Sequence, residues 1–219
     1  MFSGFFKQGG TESPHLSINH PRQPKGGRDL NSYEQVLGFR RKDLEGRRVL
    51  DLGAGPEVKF AARLAVSGIR GHVVSLSPDF ANRQVFDRAR SAHPHNLEIG
   101  FGQDLPFADR SFDVVVMFHV WEHLTKPDFT ATAKEVGRVL DFGGWARLGP
   151  MFNFPEVQFD PFISVTESGA TQELAENGVT VRQEPIPIEV MSKTRVQDHM
   201  FYTQYAPNYN FVLERSSNL

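Results

Sequence analysis

The chain contains no cysteine. Disulfides, thiolate metal sites and a cysteine nucleophile are therefore excluded. It has no long apolar run either. Val114 to Phe118, the longest near the middle, is far short of the roughly 20 residues that span a bilayer. No extended apolar stretch occurs in Met1 to Lys7, so no secretory leader is expected and a cytoplasmic location is the expectation. Charge of neither sign dominates: 24 Lys and Arg against 26 Asp and Glu give a net charge of -2. Nothing in that balance calls for nucleic acid held through its phosphates, and no membrane partner is expected. His93-Pro94-His95 has no third ligand nearby in the sequence, so no metal site is expected.

What is present suits a globular α/β domain. The chain has 219 residues, 39% hydrophobic and 23% charged, enough for one domain with a proper core. Residues 1–30, rich in Gly, Pro, His and Lys, read as a loosely ordered arm carrying Phe2, Phe5 and Phe6. Residues 31–219 read as a single domain. Helical spacing begins near Asp29, with Tyr33, Val36, Leu37 and Phe39 on one side. Strands are expected at 48–52, 72–76, 96–100 and 112–118, from Trp145, and at 179–183 and 210–213. Helices are expected from about Glu57, from Ser77-Pro78-Asp79 to Ala92, at Pro127–Leu140 and at Glu167–Asn177. Such alternation implies a parallel sheet with helices on both faces. Ligands then bind at the carboxyl ends of the strands.

The most informative segment is Val49-Leu50-Asp51-Leu52-Gly53-Ala54-Gly55-Pro56. A short apolar run passes through an acid into a glycine pair, as when a buried strand hands over to a loop that cradles a ligand. Glycine accepts positive φ and lets a ligand approach the backbone. A following helix would point its N–H groups at that ligand. A dinucleotide fingerprint needs a third glycine at position 58, where Val58 stands, and no Gly-Lys-Ser/Thr follows for a P-loop. A purely geometric turn is the competing reading of this one motif.

Three more segments follow in order: Asp104-Leu105-Pro106-Phe107 leading to Ser111-Phe112-Asp113-Val114-Val115, then His119-Val120-Trp121-Glu122-His123-Leu124, then Arg138-Val139-Leu140-Asp141-Phe142-Gly143-Gly144. In this spacing, over roughly residues 45–150, the series resembles the small-molecule class I S-adenosylmethionine (SAM)-dependent methyltransferases. The resemblance implies a doubly wound, mostly parallel seven-stranded sheet, SAM as cofactor, and a small, partly apolar methyl acceptor. It implies that Asp51, Gly53, Ala54 and Gly55 meet the amino-acid end of SAM. Ser75, Leu76, Ser77 and Asp79 fall at the ribose, and Gly102, Gln103, Asp104 and Leu105 at the adenine, with Phe107 adding to an apolar wall. Phe118 and His119 would face the sulfonium and the acceptor.

The chain departs from the family pattern at three places. Ser75 stands where an acid usually holds both ribose hydroxyls. Hydrogen bonds to a charged group are worth about 1.5–3 kcal/mol, so cofactor affinity is expected to drop roughly ten- to a hundred-fold. Asp79 either reaches back to replace that acid or only caps its helix. Phe101 replaces an acid that accepts from the adenine amino group, and Glu57 replaces a third glycine.

If the acceptor is a hydroxyl or an ammonium, a base must take its proton. His119 and Glu122 are the candidates, with His123 third. Glu122 reads equally as a solvated helix residue, and His123 as a packing or backbone-bonding residue. Phe152, Phe154, Phe159, Phe162, Phe201, Tyr202 and Tyr205 either roof an apolar acceptor or serve as core. Two other readings stand beside the enzyme: a methyltransferase-like SAM-binding or inactive partner-binding protein, suggested by Ser75 and Phe101, and, ranked last, the same fold with other chemistry such as aminopropyl transfer.

Overall fold

The computed structural model describes residues 30–92, 96–151, 159–193 and 208–217. The N-terminal arm, the His93–His95 segment, Phe152, Phe154, Phe201, Tyr202 and Tyr205 lie outside the described residues.

Seven strands form one sheet: β1 (Arg48–Leu52), β2 (His72–Leu76), β3 (Leu97–Glu98), β4 (Phe112–Phe118), β5 (Leu140–Met151), β6 (Val179–Pro185) and β7 (Tyr209–Arg215). Their order is β3-β2-β1-β4-β5-β7-β6. The pairings from β3 through β5 are parallel, and β7 is antiparallel to both β5 and β6. The expected mostly parallel, seven-stranded α/β sheet is thus the observed one. Strand order reverses between β1 and β4, and this switch point is where open α/β sheets bind ligands.

The helices are α1 (Leu30–Leu37), α2 (Lys59–Val66), α3 (Arg83–Ala92), α4 (Lys126–Val139), α5 (Pro161–Glu167), α6 (Ala170–Glu176) and α7 (Ile188–Lys193). Period-two alternation divides the strand side chains between two layers. Val49, Val73, Val114 and Val116 pack with Val36, Leu37, Phe60 and Leu64 of α1 and α2. Leu50, Leu76, Val115 and Met117 pack with Phe129 and Val136 of α4 on the other face. Central strands buried on both sides explain why β4 reads as an almost unbroken valine run.

Several expected boundaries move, for local reasons. The helix after the glycine loop starts at Lys59 rather than Glu57, because its N-cap Val58 is left-handed (φ 42°) and breaks the first turn. The helix expected from Ser77 is a 3₁₀ turn, Pro78–Ala81, followed by α3, and the break at Asn82 is extended. The helix expected at Glu167–Asn177 is α6, which starts at Ala170 because its N-cap Gly169 is left-handed (φ 77°), and a further helix, α5, precedes it. Strand β3 shrinks to two residues, while β5 already pairs at Leu140, opposite Phe112.

The last carbonyls of a helix have no intrahelical partner and need one elsewhere. For α1 they find it on the sheet. Asn210 Nδ2 donates to Val36 O at 2.7 Å, and Arg147 Nη1 donates to Leu37 O at 2.9 Å and to the Glu184 carboxylate. These bonds fix α1 on the sheet and so fix where Tyr33 points.

The loops leaving β1 and β4 touch. Gly53 has φ 77°, and a Cβ there would collide with Val120 Cγ2. Gly53→Ala combines left-handed strain with overpacking and should cost about 2–4 kcal/mol in urea unfolding. Val120→Ala in the same chain should recover part of the loss. A double variant no better than the sum of the single ones would show that the two loops do not press on one another.

Candidate active site

Asp51, one residue from the end of β1, is fully buried. Its Oδ1 accepts from Tyr33 Oη at 3.1 Å, and its Oδ2 has no partner among the described residues. Across the parallel register stands Ser75, also fully buried, its Oγ without a partner. Two unmatched polar atoms side by side in a core are costly unless something hydrogen-bonds to them. Burial pushes the Asp51 carboxyl up, the Tyr33 hydrogen bond lowers it, and the balance lies at about 7.

Gly53 and Ala54 both donate their N–H to Leu76 O, at 2.8 and 3.2 Å, tying the start of the loop to the end of β2. Gly55, at φ 66°, has nothing within 4 Å of where a Cβ would sit, so its backbone is open to approach. Ser77 is buried and its Oγ accepts from Asp79 N at 3.2 Å, which makes it the cap of the 3₁₀ turn. Asp79 lies exposed in that first turn.

Beyond β4 the chain turns sharply. His119 adopts a left-handed backbone (φ 56°), uncommon outside glycine and often stored at functional positions. Its N–H donates to Gly149 O at 2.9 Å, and its Nδ1 lies 3.0 Å from Glu122 Oε1. The ring is buried. Burial raises the Glu122 carboxyl, but the hydrogen bond and charge of His119 outweigh it, and the net shift is downward. A carboxylate bonded to one imidazole nitrogen fixes the tautomer and leaves the other, Nε2, buried inside the turn. His123 is exposed on the 3₁₀ turn Trp121–His123, and its N–H bonds Val120 O.

Phe118 differs from expectation. It is buried, its ring tilted against Tyr33 at 4.7 Å and edge-on to the His119 ring at 4.8 Å, and it serves as packing behind the histidine. On the far side of the site, Gly102 and Gln103 are half-buried, Asp104 is exposed, and Leu105 is buried. The Leu105 N–H is taken by Glu135 Oε2 at 2.9 Å. Phe107 meets Phe112 edge-on, and Phe101 is 57% exposed. Phe159 and Phe162 are partly buried against the core. The site thus brings Asp51, Ser75 and the Gly53–Gly55 loop to one edge with the His119–Glu122 pair. Among the described residues no group of three or more metal-ligating side chains occurs, and no helix is long and apolar enough to cross a membrane.

Residues 50–148 match the family model of a methyltransferase domain. Across that stretch, just under half of the chain, it is similar to methyltransferase domains. Over 112 residues it is 33% identical to an uncharacterised methyltransferase of Mycobacterium marinum, covering 51% of this chain and 42% of that one. Over 105 residues it is 36% identical to a demethylmenaquinone methyltransferase of Corynebacterium glutamicum, covering 48% and 42%. The matched part thus spans less than half the length of either relative. The solved structure of a TehB-like SAM-dependent methyltransferase from Corynebacterium glutamicum superposes with a TM-score of 0.53 at 16% identity, covering 84% of this chain and 92% of that one, a likeness of fold.

Tyr33, outside the matched residues, is the site residue that sequence reasoning missed. Nothing in an isolated helix shows that its tyrosine bonds an acid 18 residues on. The raised Asp51 carboxyl has a testable consequence. Between its ordinary 3.8 and about 7, the folded protein keeps a proton that the unfolded chain has lost. The neutral acid therefore stabilises the fold fully below pH 4, and that contribution disappears as pH rises through 7. The stability difference between wild type and Asp51→Asn should fall across this window in urea titrations. A difference independent of pH would mean that Asp51 ionises normally.

Proposed function

We propose that this protein binds SAM at the carboxyl edge of β1, β2 and β4 and transfers its methyl group to a small, partly apolar acceptor. The observation that carries this reading is the pair of unmatched buried oxygens, Asp51 Oδ2 and Ser75 Oγ, beside an open glycine loop at the switch point of a methyltransferase domain. The residues suit the cofactor. Asp51 offers an acid to a cationic amine, Gly55 leaves backbone open to it, and loop 102–105 offers backbone and the Leu105 wall to a base. Ser75 gives at most one hydrogen bond from a buried position, so the ribose is held more weakly than by a carboxylate.

When bound, SAM supplies an electrophilic methyl group. The protein's own part is positioning and proton handling. His119, with Nδ1 on the Glu122 carboxylate, takes the acceptor's proton at Nε2, and Glu122 stabilises the imidazolium that forms. The burial of Phe118 and Trp121 keeps water away from this corner. An acceptor with an ionisable O–H or N–H is the class that needs such a pair. The demethylmenaquinone methyltransferase relative supports a ring-bearing apolar acceptor, though over half of this chain only. His123, exposed, is third in line as a base.

The second reading, a SAM-binding protein without turnover, draws on Ser75 and on Phe101 at the two places where relatives carry acids. Calorimetric titration with SAM and S-adenosylhomocysteine separates the readings. The account expects one-to-one binding, weakened about ten- to a hundred-fold in Asp51→Asn. It also expects His119→Gln to keep that binding and to lose about a hundred- to ten-thousand-fold in kcat on whichever acceptor is found. No heat from either ligand would remove the cofactor reading. Binding with unaltered turnover in His119→Gln would remove the base.

A further inference from the structure

We infer that Glu135 and Arg138, on one face of α4, are positioning residues that preset loop 101–107 for the adenine half of the cofactor. This rests on the SAM-binding reading above. The loop leaves a strand of two residues and carries little backbone structure of its own beyond the tight turn in which Asp104 N–H bonds Phe101 O at 3.2 Å. Its conformation comes instead from α4. Arg138 spends all five guanidinium N–H groups there. Nε and Nη2 donate to the two oxygens of Glu135 at 2.8 and 2.7 Å. Nη1 donates to Phe107 O at 2.8 Å and Asp109 Oδ1 at 2.9 Å, and Nη2 also donates to Leu105 O at 3.1 Å. Glu135 Oε2 in turn accepts the Leu105 N–H at 2.9 Å.

One side-chain pair thus holds both the N–H and the C=O of Leu105, as a neighbouring strand would. One turn earlier on the same helix face, Thr132 lies under Gly102, where a Cβ would come within 2.9 Å of Thr132 Oγ1 and Cγ2. The helix therefore supports the loop at both ends. Only arginine has the planar fork that can bond two carbonyls and a carboxylate at once; lysine keeps the charge and loses the geometry. The pair touches the loop from behind, so its effect is on where the loop's exposed backbone and Phe101 stand, not on the ligand directly.

The test compares S-adenosylhomocysteine with S-inosylhomocysteine, which differs only in the base. In Arg138→Lys and in Glu135→Gln, affinity for the adenine ligand should fall about ten-fold while the inosine ligand is little changed, so the preference between bases shrinks. Asp109→Asn, altering the exposed arm of the network, should leave both affinities as in wild type. Equal losses for both ligands, or none, would overturn the inference. Amide hydrogen exchange on ligand-free wild type needs no variant. Leu105 N–H should already be protected, and protection that arises only on adding S-adenosylhomocysteine would overturn the presetting. Should wild type bind neither ligand, the SAM reading fails, and the exchange result alone still decides whether the loop is preset.

Discussion

A fully buried carboxyl group near the end of the first strand organises this molecule. Among the described residues Asp51 has one partner, the Tyr33 hydroxyl, and that partner arrives on a helix whose own end is fastened by Asn210 and Arg147 from the far strands. The Tyr33 ring then stacks on Phe60 and packs tilted against Phe118, and Phe118 meets the His119 ring edge-on. The acid that suits the cofactor amine and the base that suits the acceptor proton are thereby joined through a single aromatic layer. Unsatisfied buried polar atoms are costly, and proteins retain them where a ligand completes them.

The central strands were legible because burial on both faces leaves a plain signature: the expected spans 48–52, 72–76 and 112–118 coincide with β1, β2 and β4. The turn after β1 was legible because its glycine pair accepts the positive φ found at Gly53 and Gly55. Other features depend on contacts between distant segments, which no local pattern carries. Val58 takes a left-handed conformation because its side chain is buried with Phe80 and Ala89, and so it delays α2. Tyr33 looks like any apolar-face residue until α1 docks. Phe118 was expected to face the reacting groups, but its place in β4 turns it toward Tyr33 instead. The Arg138 network spans about thirty positions and closes only when α4 lies against the loop.

The fold does not by itself choose a chemistry, since one scaffold hosts many reactions. What distinguishes this chain is local. Ser75 is buried on β2, Phe101 is exposed at the turn before Asp104, and the His119–Glu122 pair sits at the sharp turn after β4. On the proposed reading the first two loosen the grip on a nucleoside, while the third supplies a proton acceptor. A site that holds its cofactor lightly yet keeps a well-oriented base is consistent with turnover that depends on the acceptor to complete the pocket.

The most direct test is a crystal structure of the complex with S-adenosylhomocysteine. The account predicts the ligand amine hydrogen-bonded to Asp51, at about 3 Å, or through one water, with the base against residues 101–105 and the sulfur facing His119. A ligand seated elsewhere, or one in this cleft with Asp51 still bonded to Tyr33 alone, would contradict it.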